Sequence, residues 1–216
     1  MNNTIQKVMK NLEQNQMKPH FVKTKEEVVP LVDSLITEGS LVAVGGSMTL
    51  FETNVIDHLH CGKYQFLDRY QEGLNREEIE SIYRKTLSAD VFLTSANAIT
   101  EQGELYNVDG NGNRVAALIY GPKSVIVIAG TNKIVPHLEA AVYRVKTIAA
   151  PKNAARLHCD TFCNKEGRCV SLLKEHPEMT DGCATSARIC CQYHVAARQR
   201  QRNRIQVILV DEPLGY

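Results

Sequence analysis

Cysteine is the residue type whose placement in this chain is least even. Six of the seven cysteines lie between residues 159 and 191, where an even spread would put about one. They are Cys159, Cys163, Cys169, Cys183, Cys190 and Cys191. Grouped thiols bind zinc, hold an iron–sulfur cluster, form disulfides or stay free. The stretch has none of the C-x2-C pairs usual in structural zinc sites, whereas iron–sulfur clusters accept more varied spacing.

Small polar residues follow three apolar runs that have the character of buried strands. These turns are residues 45–47 (Gly-Gly-Ser), 94–97 (Thr-Ser-Ala-Asn) and 129–132 (Ala-Gly-Thr-Asn). In a parallel α/β sheet such turns meet at one edge, and ligands bind there. Free backbone N–H groups at a helix start suit an anion, although P-loop and dinucleotide fingerprints are missing from the sequence. The candidate ligand-binding residues of these turns are Gly45, Gly46, Ser47, Thr94 and Asn97.

A further polar loop, residues 107–114, gathers hydrogen-bonding side chains around two glycines. It contains Asp109, Asn113 and Arg114. The first two side chains suit hydrogen bonding to a ligand, and the arginine suits an anion clamp. The alternative interpretation is a loop that bonds only to itself.

Glu101 is the candidate catalytic residue. It lies beside a glycine turn at a predicted strand end. A carboxylate in that position can act as a general base or as a covalent nucleophile. The alternative is a solvated carboxylate without a catalytic role.

Segments with strand and helix character alternate along the chain. Period-2 or continuous apolar runs predict strands at 20–24, 40–46, 63–69, 91–97, 124–130 and 205–210, with a hairpin across 98–110. Helical spacing predicts helices at 4–17, 25–36, 47–59, 75–89, 114–120 and 138–150. This alternation predicts an α/β fold, a mostly parallel doubly wound sheet with flanking helices.

The regular alternation ends near Ala150, where the cysteine-rich stretch begins. We therefore predict a single domain over residues 1–216. Its cysteine-rich insertion, about residues 151–203, forms a small C-terminal lobe before the final strand at 205–210.

The charge and the apolar content of the chain limit the kinds of partner that it can bind. The net charge is +1, from 25 Lys and Arg against 24 Asp and Glu, which disfavours nucleic acid and membrane surfaces. The arginine-rich run 197–204 suits a solvated approach to the last strand, or an anion-binding edge. No apolar run approaches the roughly 20 residues of a membrane span, and the polar start lacks a signal sequence. We expect a cytoplasmic protein without a membrane span or nucleic-acid partner, and a homo-oligomer is compatible with the sequence.

Two stretches make the chain recognisable. VAVGGSMTLFE (42–52) and ADVFLTSANAITEQGELYNVDGNGNRVAALIYGPKSVIVIAGTNKIV (89–135) resemble the core of the lactate-utilisation (LUD) domain family. The resemblance covers about residues 1–150 and the closing strand. It implies a fold similar to that of ribose-phosphate isomerase, glucosamine-phosphate deaminase and the CoA transferases. It also implies a role in the use of lactate or a related small hydroxy acid.

The resemblance extends to the cysteines. Short proteins similar to this family carry a comparable tail before the final strand. That pattern implies that Cys163, Cys169, Cys183 and Cys190 hold a [4Fe–4S] cluster, with zinc as the alternative. Cys159 and Cys191 then bind no metal, or one of them replaces one of these four ligands.

Three functions remain open from the sequence. The first is a hydroxy-acid protein that binds a small anionic metabolite beside a cysteine-ligated centre and works with redox partner subunits. The second is a transferase or isomerase for CoA esters or sugar phosphates that uses Glu101, since the resembling CoA transferases use a glutamate. The third is a non-catalytic assembly subunit of a redox complex.

Overall fold

A six-stranded parallel β-sheet forms the centre of the chain. The computed structural model describes residues 2–216. The strands of the protein, which form two sheets, are β1 (Lys18–Val22), β2 (Leu41–Val44), β3 (Gln65–Leu67), β4 (Val91–Thr94), β5 (Ala98–Thr100), β6 (Leu105–Asp109), β7 (Ser124–Gly130), β8 (Ile134–Val135), β9 (Gln192–Ala196) and β10 (Ile205–Val210). The central sheet has the order β1-β10-β7-β4-β2-β3, and all its neighbours are parallel. The predicted α/β fold with a mostly parallel sheet is therefore confirmed.

Unbroken apolar runs place the middle strands inside the protein. From Val125 to Ala129 every residue of β7 is at most 1% exposed, as expected for a strand buried on both faces. The register pairs Val125 with Ile205 and Gly130 with Val210. The strands β7, β4 and β2 are also parallel neighbours, so their carboxyl ends lie at the same edge of the sheet.

Helices flank both faces of this sheet. They are α1 (Asn3–Gln14), α2 (Val28–Leu35), α3 (Met48–Glu52), α4 (Val55–His58), α5 (Arg76–Thr86), α6 (Asn113–Ile119), α7 (Leu138–Arg144), α8 (Ala150–Arg156) and α9 (Phe162–Glu166). One apolar cluster joins α1 and α6 to one face, and a second joins α2, α3 and α4 to the other. Within residues 2–216 there is no helix of the length and apolarity that a membrane span requires.

Two predicted helices differ from the observed ones. The helix expected at 47–59 is divided into α3 and α4, because Asn54 has a left-handed backbone with φ 56°, a conformation that asparagine tolerates better than most residues. The helix expected at 138–150 continues to Arg156 through a π-helical turn, Val145–Ala149. The helix therefore passes through the expected boundary near Ala150.

A second sheet connects the cysteine-rich stretch to the strand ends. Its order is β8-β5-β6-β9, and the antiparallel pair β5 and β6 is the predicted hairpin. Strand β9 was not predicted. It pairs with β6 from Leu105 opposite Ala196 to Asp109 opposite Gln192, which fixes the residues after Cys191 beside the polar loop 107–114.

Candidate functional site

A cleft of about 490 Å³ opens at the carboxyl ends of β2, β4 and β7. This volume lies within the range of small-molecule sites. Six of the predicted ligand-binding residues line the cleft: Gly46, Ser47, Asn97, Asp109, Asn113 and Arg114. The fold thus brings together the turns 45–47 and 94–97 and the loop 107–114, whereas the third predicted turn, 129–132, is absent from the described lining.

The other two predicted residues, Gly45 and Thr94, lie beneath the cleft. A Cβ atom on Gly45 would come within 2.8 Å of Thr94 Oγ1 and 2.9 Å of Arg114 Cγ. Glycine at position 45 therefore allows the Arg114 side chain to pass close over the strand end.

Arg114 is buried at the centre of a closed hydrogen-bond network. Its Nε donates to Asp109 Oδ1 at 2.9 Å, and its two terminal nitrogens donate to two backbone carbonyls and two amide oxygens at 2.6–3.0 Å. The amide oxygens belong to Asn97 and Asn107. Five acceptors match the five N–H donors of a guanidinium. In this arrangement Arg114 holds the loops together, and an anion clamp would require it to give up one of these bonds.

Four further basic side chains line the cleft without an acidic side chain as partner. They are Arg69, Lys133, Arg156 and Arg188. Across residues 2–216, none of the four comes within ion-pair distance of an acidic side chain. Among the described lining residues Asp109 has the single acidic side chain, and it is paired with Arg114. Uncompensated positive charge in a concave site attracts anions.

Neutral groups orient two of these cations. Arg69 Nη2 donates to Tyr83 Oη at 2.6 Å, and the guanidinium lies 4.6 Å from the Tyr83 ring centroid. Arg156 Nε donates to Tyr216 Oη at 2.8 Å. Phenol groups and aromatic faces hold a guanidinium in place while leaving its charge available to a ligand.

Lys133 is the functional candidate that sequence analysis missed. It follows β7 in a short 3-10 turn and is 2% exposed. Its Nζ lies 3.0 Å from Thr49 Oγ1 and 2.9 Å from Ser95 Oγ. Burial, followed by the charges of Arg144 and Arg114, lowers the pKa of Lys133 to about 7. In the sequence, Lys133 could have been identified as a candidate because it follows the third predicted strand-end turn, 129–132, directly.

Ser47 contributes a buried hydroxyl to the same wall. Its Oγ has no hydrogen-bond partner among residues 2–216. Buried polar atoms are nearly always paired with protein, ordered water or ligand. An ordered water, or a ligand reached after rotation of the side chain, would satisfy this hydroxyl.

A second cavity brings together the four predicted metal-binding cysteines. Cys163, Cys169, Cys183 and Cys190 all line a void of about 20 Å³, whereas the other three cysteines do not. All seven cysteines are free thiols. Within residues 2–216 no three His, Cys, Asp or Glu side chains are close enough to form a metal site as they stand. The four thiols share a void without converging on one point.

The surroundings of these thiols are largely apolar. Burial, together with the neighbouring thiols, raises the pKa of both Cys163 and Cys183. Thr161 Oγ1 lies 3.4 Å from Cys163 Sγ, and Ser171 Oγ donates to Cys169 Sγ at 3.3 Å. Hydroxyl groups at the sulfurs are a feature that tunes metal-bound thiolates.

A buried lysine adds positive charge to this cavity. Lys146 lines it from the π-helical turn. Its Nζ donates to Ser171 Oγ at 2.7 Å, to Glu178 O at 2.7 Å and to Asp181 O at 3.0 Å. Burial lowers the pKa of Lys146. An ammonium here would offset the charge of thiolates.

The two cavities share a wall formed by residues 188–191. Arg188 lines the cleft, and its guanidinium donates to the carbonyls of Cys183 and Cys190. Cys190 lines the cysteine cavity, whereas Cys191 lines the cleft. A centre held by the cysteines would therefore lie close to a ligand in the cleft.

Glu101 lies outside both cavities. Its carboxylate forms an ion pair with Lys7 at 2.7 Å, and its carbonyl accepts a bond from Asn11 Nδ2. It is absent from the described lining of the cleft. The structure does not bring the predicted catalytic carboxylate together with the predicted ligand-binding residues.

The fold and the strand-end cleft define an α/β protein with a parallel sheet and a polar site at the carboxyl edge. The LUD domain model matches residues 5–210, and the chain belongs to this family. At the level of the family it is therefore related to lactate-utilisation proteins. No match was found among curated proteins.

One solved structure has a similar fold over nearly the whole chain. The chain is 15% identical to a DUF162 family protein from Deinococcus radiodurans, with a TM-score of 0.51 and 96% of each chain covered. It is also similar to eIF2B beta from Chaetomium thermophilum, with 16% identity, a TM-score of 0.37, and 62% of this chain and 47% of that chain covered. It is similar to eIF2B delta from the same organism as well, with 20% identity and a TM-score of 0.35. This match covers 52% of this chain and 48% of that chain.

Proposed function

We propose that the chain binds a small organic anion, of the size of lactate or a related hydroxy acid, in the strand-end cleft. The observation that carries this proposal is the composition of the lining, which has four arginines, one lysine and a single acidic side chain that is already paired with Arg114. Hydrogen bonds to charged groups contribute about 1.5–3 kcal/mol each when the partner is buried. An anionic ligand would supply the counter-charge that Arg69, Arg156 and Arg188 lack.

We also propose that Cys163, Cys169, Cys183 and Cys190 hold a [4Fe–4S] cluster, with zinc as the alternative. The donor set fits both, because each accepts four thiolates. The thiols would have to draw closer together to bind either one. The cluster would supply one-electron chemistry beside the cleft, whereas zinc would stabilise the lobe. The cations of Lys146 and Arg188 would offset the charge of the thiolates.

The fold family, the cysteine-rich lobe, the compartment and the partners predicted from the sequence are compatible with this proposal. A parallel sheet with a strand-end cleft is compatible with a fold like that of ribose-phosphate isomerase and the CoA transferases, and residues 151–203 would form the cysteine-rich lobe. Seven free thiols suit a reducing compartment such as the cytoplasm. Redox partner subunits would approach the lobe, since electrons must enter or leave there.

Calorimetric titration tests the anion site. Pyruvate and L-lactate should bind the wild-type protein, and Arg69→Gln or Arg156→Gln should weaken binding by about tenfold or more, equivalent to about 1.4 kcal/mol or more. Arg76→Gln is the matched control, because Arg76 is exposed and pairs with Glu80 on the surface. Failure of both anions to bind, or equal effects of all three variants, would contradict the anion site.

Metal and sulfide analysis of protein purified without oxygen tests the cysteine site. A cluster predicts about four iron and four acid-labile sulfide per chain with visible absorption. These should be lost in Cys163→Ser and retained in Cys61→Ser, since Cys61 is exposed outside the cavity. Zinc alone would favour the structural alternative, and protein that takes up neither iron nor zinc would contradict the proposed centre.

A further inference from the structure

Lys133 has features that anion binding alone does not require. It is a buried amine with two hydroxyl partners and no carboxylate partner among residues 2–216. We propose that Lys133 forms a Schiff base with the carbonyl carbon of a small 2-oxo acid bound in the cleft. This inference rests on the proposed anion site, because the same arginines would hold the carboxylate of the oxo acid.

The surroundings of Lys133 favour the free amine over the ammonium. Thr49 on α3 and Ser95 after β4 contribute neutral hydroxyls to Nζ. Arg114 on α6 and Arg144 on α7 contribute like charges, and the main opposing charge is Glu52. The Glu52 carboxylate accepts the Gly215 N–H at 2.6 Å. A lysine that is desolvated beside other cations is the environment that activates an amine as a nucleophile.

The carbonyl class follows from the charges in the cleft. A neutral amine attacks an aldehyde or ketone, and the unpaired guanidinium groups select a compound that also carries a carboxylate. Both requirements are met by 2-oxo acids such as pyruvate. They are also the compounds formed when 2-hydroxy acids lose two electrons and two protons.

The step is balanced without a further reactant. The Nζ lone pair attacks the carbonyl carbon, the C–N bond forms, and the carbonyl oxygen takes up a proton to give a carbinolamine. Water then leaves with the former carbonyl oxygen and the two amine hydrogens, and the imine nitrogen takes one proton from solvent. Ser95 and Thr49 are within hydrogen-bond distance of Nζ and can relay these protons. The resulting iminium cation faces the carboxylate of its own ligand.

Reductive trapping tests this proposal. Wild-type protein is incubated with pyruvate and sodium cyanoborohydride near neutral pH, and intact-mass and peptide analysis locate the adduct. We expect one carboxyethyl group per chain, on Lys133. Lactate has the same carboxylate but no carbonyl, so it should form no adduct and should compete with pyruvate.

Two variants complete the experiment. Lys133→Arg keeps a cation but cannot form the imine, so it should lose the adduct. Lys123→Arg changes an exposed lysine paired with Asp90 and should keep it. Peptide mapping of the wild-type protein gives the answer even where Lys133→Arg folds poorly. Pyruvate binding without an adduct at Lys133 would overturn this inference alone, whereas failure of pyruvate and lactate to bind would overturn the anion site as well.

Discussion

The strand-end cleft and the cysteine cavity lie on two sides of residues 188–191 and are built in different ways. The cleft is wide and polar, and its central arginine has protein acceptors for every donor. The cysteine cavity is a small void with apolar walls, and its four thiols are free. Hydrogen bonds within the protein hold the centre of the cleft in shape, whereas the four thiols of the cysteine cavity would need a bound metal to bring them together.

This difference follows from the elements that form each region. Loops that leave a parallel sheet are fixed by the sheet, and Arg114 bonds the turn after β4 to the end of β6. The segment from Cys159 to Cys191 contains only one five-residue α-helix and one 3-10 turn within the described chain. Such a segment buries little apolar surface of its own, so a bound metal would supply much of its stability. We therefore expect the two regions to respond differently to the same perturbations.

The largest expected effect is the loss of metal from the cysteine cavity. Cys183→Ser should abolish iron or zinc binding and make residues 159–191 sensitive to limited proteolysis, because it removes one of the four proposed ligands from a segment with little regular structure of its own. Titration with pyruvate should still show binding in the cleft. Cys61→Ser is the control. Loss of anion binding together with the metal would show that the two regions are one structural unit.

Metal binding should also weaken as the pH falls. Thiols bind metal as thiolates, and burial raises the pKa of Cys163 and Cys183 above the ordinary thiol value. Protons therefore compete with the metal throughout the neutral range. Zinc affinity measured by competition with a chelator should rise from pH 6 to pH 8. A flat profile would mean that the thiols are already ionised.

Arg114→Met should cause the next largest change, and this change concerns the cleft. Removing one partner of a buried ion pair typically costs about 3–5 kcal/mol, because the other charge stays buried without compensation. Here Asp109, 8% exposed, would be that charge. Urea unfolding measures the loss of stability, and metal content should stay near the wild-type value. A loss below about 1 kcal/mol would contradict the central position of Arg114 in the network.

A smaller effect is expected from the pH dependence of stability at Lys133. Its folded-state pKa of about 7 lies below the ordinary value of 10.5, so between these pH values the unfolded chain holds one more proton than the folded chain. The free energy of unfolding therefore gains a rising contribution from pH 7 to 10.5. Below pH 7 the full cost of burying the ammonium applies.

Lys133→Met removes this titration, so comparison with the wild-type protein isolates it. The variant should gain stability relative to the wild-type protein near pH 7 and lose that advantage towards pH 10. Urea unfolding at several pH values measures both. Parallel pH profiles for the two proteins would mean that Lys133 stays charged in the folded protein.

The sequence predicts the scaffold better than the chemistry. Apolar runs such as 124–130 are visible in the sequence because a doubly buried strand needs them, and the polar turns follow directly. Strand β9 was missed, because its register with β6 depends on a partner more than 80 residues away. Lys133 was missed because its properties come from burial and from Arg114 and Arg144, which are distant in the sequence.

The sequence also did not show which arginines remain free to bind a ligand, because this depends on their side-chain contacts in the fold. Arg114 has the residue type of an anion clamp, yet its five donors are used within the protein. Arg69, Arg156 and Arg188 were ordinary surface arginines in the sequence, and the fold brings them to the cleft. A sequence motif identifies a site here, while the available charges in that site come from residues outside the motif.

The smallest expected effect concerns Glu101, which lies in neither region. Its ion pair with Lys7, whose side chain is 53% exposed, should contribute about 0–1 kcal/mol. Glu101→Gln should therefore leave anion binding and metal content unchanged and alter the urea midpoint only slightly. Lys7→Gln is the matched control, because it breaks the same pair from the other side. A large loss of ligand binding or turnover in Glu101→Gln but not in Lys7→Gln would mean that the carboxylate itself acts in chemistry. The functional site would then have a third part, and a glutamate-dependent transferase would replace the hydroxy-acid proposal.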